Sequence, residues 1–369
     1  MYTKYGRYIP SSVLMRILNF VAIPRSSSHN PSADLARVAR SNNYMRCLAE
    51  AVLYRSIDLR NRSETRLSRC LSSVVRSTRR QAVVERLAFS YAPATSQKLI
   101  NTIRLAFAAM VNLRDLEVYC AQDHPSRPSQ IATQLFSGGC GFRLEKFSTD
   151  FVVDSALMVF IESQRGLRHL KLTQNPTKSA SLVKHHDHFI QGMLLPNLRS
   201  VSCTVSFALS LLPKRRSIYK LEILDTVQKD HLAYVMAKIG DCRGVVPLRE
   251  LSIPVEECTP EALYNIAKYV PHLHSFTLHD VRLSLTDVPY HIANLSRGLS
   301  GFDSLRFADF TFYISKMYSS GRVRCSENSF CHFMIKQCPS LGKADLTIQE
   351  HGMSPRRWSL TGSECWRKN

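Results

Sequence analysis

The pattern apolar-x-x-apolar-x-apolar recurs ten times along this chain, starting at Val84, Leu113, Leu144, Leu167, Leu198, Ile218, Leu248, Leu273, Phe302 and Leu341. Successive starts lie 29, 31, 23, 31, 20, 30, 25, 29 and 39 residues apart. Each interval holds one short strand and one helical or looped return, so the pattern predicts a stack of similar units with insertions on some returns.

The positions that did not define the pattern test it. A strand shows alternate residues to opposite faces, so the third, fifth and seventh residues of each unit point away from the buried side. They read Arg86, Ala88, Ser90 in the first unit, Asp115, Glu117, Tyr119 in the second and Lys146, Ser148, Asp150 in the third. The fourth gives His169, Lys171, Thr173, the sixth Lys220, Glu222, Leu224, the seventh Glu250, Ser252, Pro254 and the ninth Ser304, Arg306, Ala308. Almost all are polar, as strands with one buried and one wet face require. The units are leucine-rich-repeat-like, and Leu87, Leu116, Leu170, Leu221, Leu251 and Leu305 are predicted to stack inside.

The returns carry a helical period. Thr259-Pro260-Glu261 followed by Leu263, Ile266, Ala267 and Val270 reads as a capped amphipathic helix, with Thr259 as cap and Pro260 at the first helical position. Leu232, Val235, Met236 and Ile239 repeat the spacing, while Leu99, Ile103, Phe107 and Met110 and then Phe330, Phe333 and Met334 give weaker versions. A doubly wound sheet also alternates strand and helix, but its strands are covered on both faces and read as continuous apolar runs. Half-polar strands favour an α/β chain built as a curved solenoid with a parallel sheet.

With 369 residues and 44% apolar content the chain can bury a large core. No apolar run approaches the roughly 18 residues of a membrane span, and no basic-then-apolar segment opens the chain, so the expectation is a soluble protein of the cytoplasm and/or nucleus. Eleven cysteines without a C-x-x-C pair suggest reduced thiols in packing positions, Cys203 among them. Cys325, Cys331, His332 and Cys338 match no common ligand spacing, and His185, His186, Asp187 and His188 fall in a polar stretch between units, so no metal is expected. Gly138-Gly139-Cys140-Gly141 lacks the Lys and Ser/Thr of a phosphate loop. No other catalytic template is present, and the chain reads as a non-enzyme without cofactor.

Before the repeats, Ile9-Pro10-Ser11-Ser12 opens onto Leu14, Ile17, Leu18 and Val21, a helical stripe that the serines can cap. Ser32 can cap a second helix bearing Leu35 and Val38, and a third runs from Asn43 through Met45, Leu48, Ala49 and Val52 into the strand-like 54–59. Three short helices make a marginal core, so the module should lean on a neighbour or a partner. At these residues the chain resembles an F-box, in the version found in fungal F-box proteins with divergent leucine-rich repeats. The likeness rests on Ile9-Pro10 before the first helix, on Asp34-Leu35 and Val38-Ala39-Arg40-Ser41, on Tyr44, and on the run from Leu48 to Ile57. It departs from the family at Ser12, where an acidic residue is common, and in a longer loop from Ala22 to Pro31.

The resemblance implies a substrate receptor of a Skp/cullin/F-box ubiquitin ligase, whose F-box docks on an acidic Skp-type adaptor while the repeats hold a protein substrate. Carried over by position, the adaptor-facing residues are Ile9, Pro10, Leu14, Ile17, Leu18, Leu35, Val38, Tyr44 and Leu48. The implied organisation is an adaptor-binding module at 8–59, a basic connecting segment at 60–83, the solenoid at 84–348 and a cap or loose tail at 349–369.

The formal charge is +20. Residues 1–83 hold 15 Lys plus Arg against 4 Asp plus Glu, a net of +11, so the excess concentrates before the repeats. The alternative is a repeat scaffold or RNA-binding protein outside the ubiquitin system. The outward strand positions argue against nucleic acid, with Arg86, Lys146, Lys171, Lys220, Arg306 and Lys343 balanced by Asp115, Glu117, Asp150, Glu222, Glu250 and Asp345. A mixed face suits a protein ligand. His169, Lys171, Lys220, Glu222 and Glu250 are the candidate substrate contacts, with the insertion from Asn175 to Asp187 as the other candidate.

Overall fold

The structure, a computed structural model, describes residues 9–23, 31–92, 95–120, 128–136, 140–151, 153–173, 195–212, 217–241, 247–283, 297–314, 336–350, 355–361 and 364–368. The weaker helical period at Phe330, Phe333 and Met334 lies outside them, as do both histidine and cysteine clusters apart from Cys338 and the insertion from Asn175 to Asp187. The chain divides into two compact units, Met1–Leu167 and Arg168–Asn369.

The first unit opens with α1 (Ser11–Val21), α2 (Pro31–Ala39) and α3 (Asn43–Arg55). Asn42 caps α3, its side chain accepting from the Met45 amide at 2.8 Å. The serines do not cap α1, where Pro10 takes the cap position and its carbonyl accepts from Val13 and Leu14. Ser32 lies inside the first turn of α2, which starts at Pro31, a residue pre-set for that place.

The strand-like run after α3 is the first strand of the sheet. β1 (Ser56–Leu59) pairs in parallel with β2 (Arg86–Tyr91), and the basic segment between them folds as α4 (Glu64–Val75) and α5 (Thr78–Val83). The repeat therefore begins one strand earlier than the ten-fold pattern suggests. β3 (Asp115–Cys120) and β4 (Lys146–Thr149) continue it in parallel, with α6 (Gln97–Ala109) and α7 (Pro128–Phe136) as returns and α8 (Ser155–Ser163) after β4. Behind the strands, Phe107, Phe136, Phe142, Phe147, Phe151 and Phe160 interlock, Phe136 stacking on Phe160 at 4.1 Å between centroids.

The second unit runs β5 (His169–Leu172), β6 (Ser200–Cys203), β7 (Lys220–Ile223), β8 (Glu250–Val255), β9 (Ser275–Leu283), β10 (Phe307–Ile314) and β11 (Lys343–Glu350), every neighbouring pair parallel. Its described returns are α9 (Val205–Leu211), α10 (Lys229–Asp241) and α11 (Pro260–Tyr269). Thr259 caps α11 as expected, accepting from the Ala262 amide at 3.2 Å. Gly240 lets α10 end against the next return, because a Cβ there would sit 2.7 Å from the Tyr269 carbonyl. The tail continues the sheet: β12 (Arg356–Thr361) adds antiparallel to β11, and β13 (Glu364–Lys368) antiparallel to β12.

One hydrogen-bond device recurs at eight strand starts, those of β3 and β4 in the first unit and of β6 to β11 in the second. Two successive amides donate to a single carbonyl of the preceding strand start. Arg114 and Asp115 donate to Glu85, Glu145 and Lys146 to Arg114, Arg199 and Ser200 to Arg168, and Tyr219 and Lys220 to Arg199. Arg249 and Glu250 donate to Tyr219, His274 and Ser275 to Arg249, Arg306 and Phe307 to His274, and Gly342 and Lys343 to Arg306, all between 2.7 and 3.2 Å. This clamp fixes the register of each unit against its predecessor.

It also corrects the ninth unit. The sequence places Phe302 at its start and Ser304, Arg306 and Ala308 on the wet face. The clamp uses Arg306 and Phe307, so the unit starts at Leu305, and Phe276 pairs with Ala308 rather than Leu305. Leu305-Ala308-Phe310 fits the same pattern, but Phe302-Leu305-Phe307 offers larger apolar residues and so masks it. Phe302 is buried for a different reason: it follows the short turn at Leu299–Gly301 and packs on Phe276 at 5.7 Å. The six leucines predicted inside are all at most 2% exposed, Leu305 included, though it precedes its strand.

Register and burial set two expectations for urea unfolding. Leu251→Ala should cost about 2 to 5 kcal/mol, the usual loss for a buried leucine. Ala308 is fully buried, so Ala308→Leu should overpack the core and cost about 1 to 3 kcal/mol. If Ala308 lay on the wet face, the same change would shift stability by less than about 0.5 kcal/mol.

Candidate functional site

Helix α1 carries two apolar stripes. Leu14 and Leu18 are buried, and Leu18 joins Leu35 and Ala49 in the module core, with Val21, Val38, Met45, Leu48 and Val52 packed around it. Val13, Ile17 and Phe20, spaced i, i+4 and i+7, lie along the adjoining face at 43%, 51% and 60% exposure, and Ile23, two residues past the helix end, is 55% exposed. A helix apolar on more than one face has more than one neighbour to meet. Exposed apolar side chains grouped in this way form a contiguous patch rather than scattered single exposures.

The nine adaptor-facing positions from the sequence thus divide. Leu14, Leu18 and Leu35 fill the core, Val38 and Leu48 are half-buried against it, and Ile9 is half-buried before α1. Pro10, Ile17 and Tyr44 are exposed. Sequence reasoning missed Val13, Phe20 and Ile23, although their spacing from Ile17 was readable as a second helical stripe.

The module is tied to the first return through a carboxylate. Glu50 on α3, with its side chain 8% exposed, accepts from Arg79 and, at 2.8 Å, from Arg80, both on α5. Arg80 also lies over the Tyr54 ring at 4.9 Å and donates to the Ser73 carbonyl. Burial by itself pushes the Glu50 carboxyl up, but the hydrogen bonds from Arg80 and Arg79 outweigh it and hold the group below its ordinary 4.5.

On the outward face of the first unit, Arg60 reaches both Asp58 and Glu117, the latter at 3.2 Å, and Arg86 reaches Glu117 at 2.6 Å. Asp58, Ala88 and Glu117 are register partners on β1, β2 and β3, so the Arg60 guanidinium spans the middle strand. That roof explains why Ala88, at an outward position, is fully buried. Asn61, with φ 58°, makes the turn that follows β1.

On the second unit, His169, Ser200, Lys220 and Glu250 form one cross-strand row and Lys171, Ser202, Glu222 and Ser252 the next. The five candidate substrate contacts therefore lie on three strands, β5, β7 and β8, with β6 between the first pair and the rest. Lys220 and Glu250 pair at 2.8 Å, and that carboxylate raises the Lys220 ammonium above its usual range. Ser202 donates to Glu222 at 2.5 Å. The rows hold hydroxyls and charges of both signs, Lys220 and Glu250 among them paired.

A shallow groove between α9 and α10 is lined by Leu209, Asp225, Val227, His231 and Tyr234. Its half-buried carboxylate is already used, since Asp225 accepts from the Val205 amide at the start of α9 at 2.7 Å. Burial raises the Asp225 carboxyl, and it likewise raises the thiols of Cys203, Cys338 and Cys140, the last to about 11. Raised thiols are poor nucleophiles, in keeping with packing roles. Among the described residues no group of three or more His, Cys, Asp or Glu could hold a metal, and no helix is long and apolar enough to cross a membrane.

No family model and no curated protein matches the chain. Among solved structures, it is similar to a chain of the Rad7 and Elc1 complex in yeast, with 16% identity, a TM-score of 0.38, and coverage of 90% of this chain and 86% of that one. The fold described above rests on strand register and burial in this chain, independently of that likeness.

The Glu50 bracket gives a pH prediction. Because its folded pKa lies below the unfolded value, its stabilisation is complete above about pH 4.5 and is lost as pH falls through the folded value. Glu50→Gln should cost about 1 to 2 kcal/mol at pH 7, since Arg79 is half in water. The gap between the two proteins in thermal unfolding should close on acidification. A gap that persists unchanged at pH 3 would exclude the ion pair as its source.

Proposed function

We propose that this chain is a substrate-recognition subunit of a Skp/cullin/F-box type ubiquitin ligase. In this reading the outer face of α1 docks on a Skp-type adaptor, the cullin is reached through that adaptor, and the repeat holds a protein substrate. The observation that carries it is the second stripe of α1, Val13, Ile17 and Phe20, continued by Ile23 just past the helix end, exposed on a module whose own core Leu14, Leu18 and Leu35 already fill. The F-box resemblance over residues 8–59 supports it from the sequence side.

The receptor does no covalent chemistry in this account. It brings a substrate near a ubiquitin-charged enzyme, so rigidity between docking face and substrate face matters more than any acid or base. The Glu50 bracket contributes that rigidity at the junction of module and repeat. His169, Lys171, Lys220, Glu222 and Glu250 contribute polar contacts that set specificity, and the basic N-terminal segment speeds association with an acidic adaptor. The working compartment is the cytoplasm and/or nucleus.

Tagged protein expressed with a Skp-type adaptor should co-purify with it. Ile17→Asp together with Phe20→Asp places two carboxylates on an apolar contact and should weaken capture at least tenfold. Both side chains are exposed, so thermal unfolding should stay within a few degrees of the native protein. Capture that survives the double change, with the fold intact, would remove α1 as the docking face.

A further inference from the structure

The clamp brings one residue of every unit into a single file. In the second unit the file reads Arg168, Arg199, Tyr219, Arg249, His274 and Arg306, each from Arg199 onward donating its amide to the carbonyl of the one before. Neighbouring strands lie about 4.8 Å apart, so the six positions span about 24 Å along the ends where the strands begin. The four arginines are exposed, and Tyr219 and His274 are half-buried between them. Gly342 ends the file with no side chain. The register correction matters here, because the sequence pattern alone would put Asp303 where Arg306 stands.

The same file in the first unit has the opposite character. There it reads Arg55, Glu85, Arg114 and Glu145, and the charges cancel in pairs, Arg55 with Glu85 at 2.9 Å and Arg114 with Glu145 at 3.4 Å. Nothing in the backbone requires that difference, since both files use the same clamp. Among the described residues, Arg199, Arg249 and Arg306 make no ion pair, and the nearby Glu250 is engaged by Lys220. Arg199, Arg249 and Arg306 therefore present exposed guanidinium groups without an ion partner among the described residues along one line, and an anion lying across that line would satisfy them.

We infer that this basic file is a docking line for an acidic, Asp- and Glu-rich segment of a protein, laid across the starting ends of β5 to β10. An extended peptide advances about 3.3 Å per residue, so about seven residues cover the line. Arginine forks suit carboxylates, each able to take two parallel hydrogen bonds. The inference deepens the receptor reading, on which it rests for the identity of that protein as a substrate, and adds the chemical class of the segment recognised. It uses side chains distinct from His169, Lys171, Lys220, Glu222 and Glu250, which face outward from the strands themselves.

The test uses the full chain and a fluorescein-labelled octaglutamate peptide, read by anisotropy at about 50 mM salt, where surface charges are weakly screened. Native protein should bind, with affinity falling as salt rises. Arg199→Glu with Arg249→Glu should weaken binding at least tenfold, whereas Arg66→Glu with Arg69→Glu, the same charge change on exposed α4 positions, should leave it within about twofold. Unfolding temperatures report that each variant is folded. Equal loss in both double variants, or no binding by native protein, would overturn the docking line as nonspecific attraction. An oligouridylate of matched charge that binds tighter than the peptide and depends on the same arginines would overturn the protein ligand in favour of nucleic acid. Adaptor capture is measured on the same variants, so loss of the docking line and loss of the receptor reading are read separately.

Discussion

The shared carbonyl at each strand start is the constraint on which the rest depends. A strand of four to six residues cannot hold its own register, and the units are separated by returns of very different length. By fixing two amides of a unit to one oxygen of the unit before, at eight strand starts, the clamp makes register there independent of the return. Leu87, Leu116 and Phe147, and then Leu170, Val201, Leu221, Leu251 and Phe276, become direct neighbours on the buried side. The same operation aligns outward positions, so residues 20 to 36 apart in sequence meet as rows. Charge patterns that look random along the chain acquire meaning only across those rows: an alternating, self-cancelling file in the first unit and a basic one in the second.

The N-terminal module depends on the repeat in turn. Its core is small, and a few buried side chains on three short helices give little stability alone. Glu50 links α3 to α5, and β1 follows α3 directly into the sheet. With α3 held in this way, α1 keeps Leu14 and Leu18 inside the module while Val13 and Ile17 stay exposed.

Much of this was legible in the sequence because strands and helices bury side chains at different periods. Nine of the ten strand starts follow from apolar spacing, and Thr259-Pro260 announces α11 before its apolar face is counted. Three things were not legible, each for a physical reason. The ninth start was lost because two overlapping frames both satisfy the pattern, and only backbone pairing distinguishes Leu305 from Phe302. Ala88 was assigned to water because its cover comes from Arg60, far from it in sequence. On α1, Leu18 and Ile17 are adjacent apolar residues, and which one packs inward is decided by where α2 and α3 lie. The candidate sheet contacts were assigned the correct face, but their order across β5 to β8 required the register.

The account's central claim is that α1 presents its outer stripe to an adaptor while the returns of the repeat do not. Site-specific photocrosslinking tests this most directly, with a photoreactive phenylalanine placed at Phe20 or at Tyr264, two aromatic positions of nearly equal exposure, 60% and 62%, on α1 and α11. Irradiation in the presence of a Skp-type adaptor should give an adduct from position 20 and none from position 264. Equal yields from both positions, or an adduct from position 264 alone, would contradict the account.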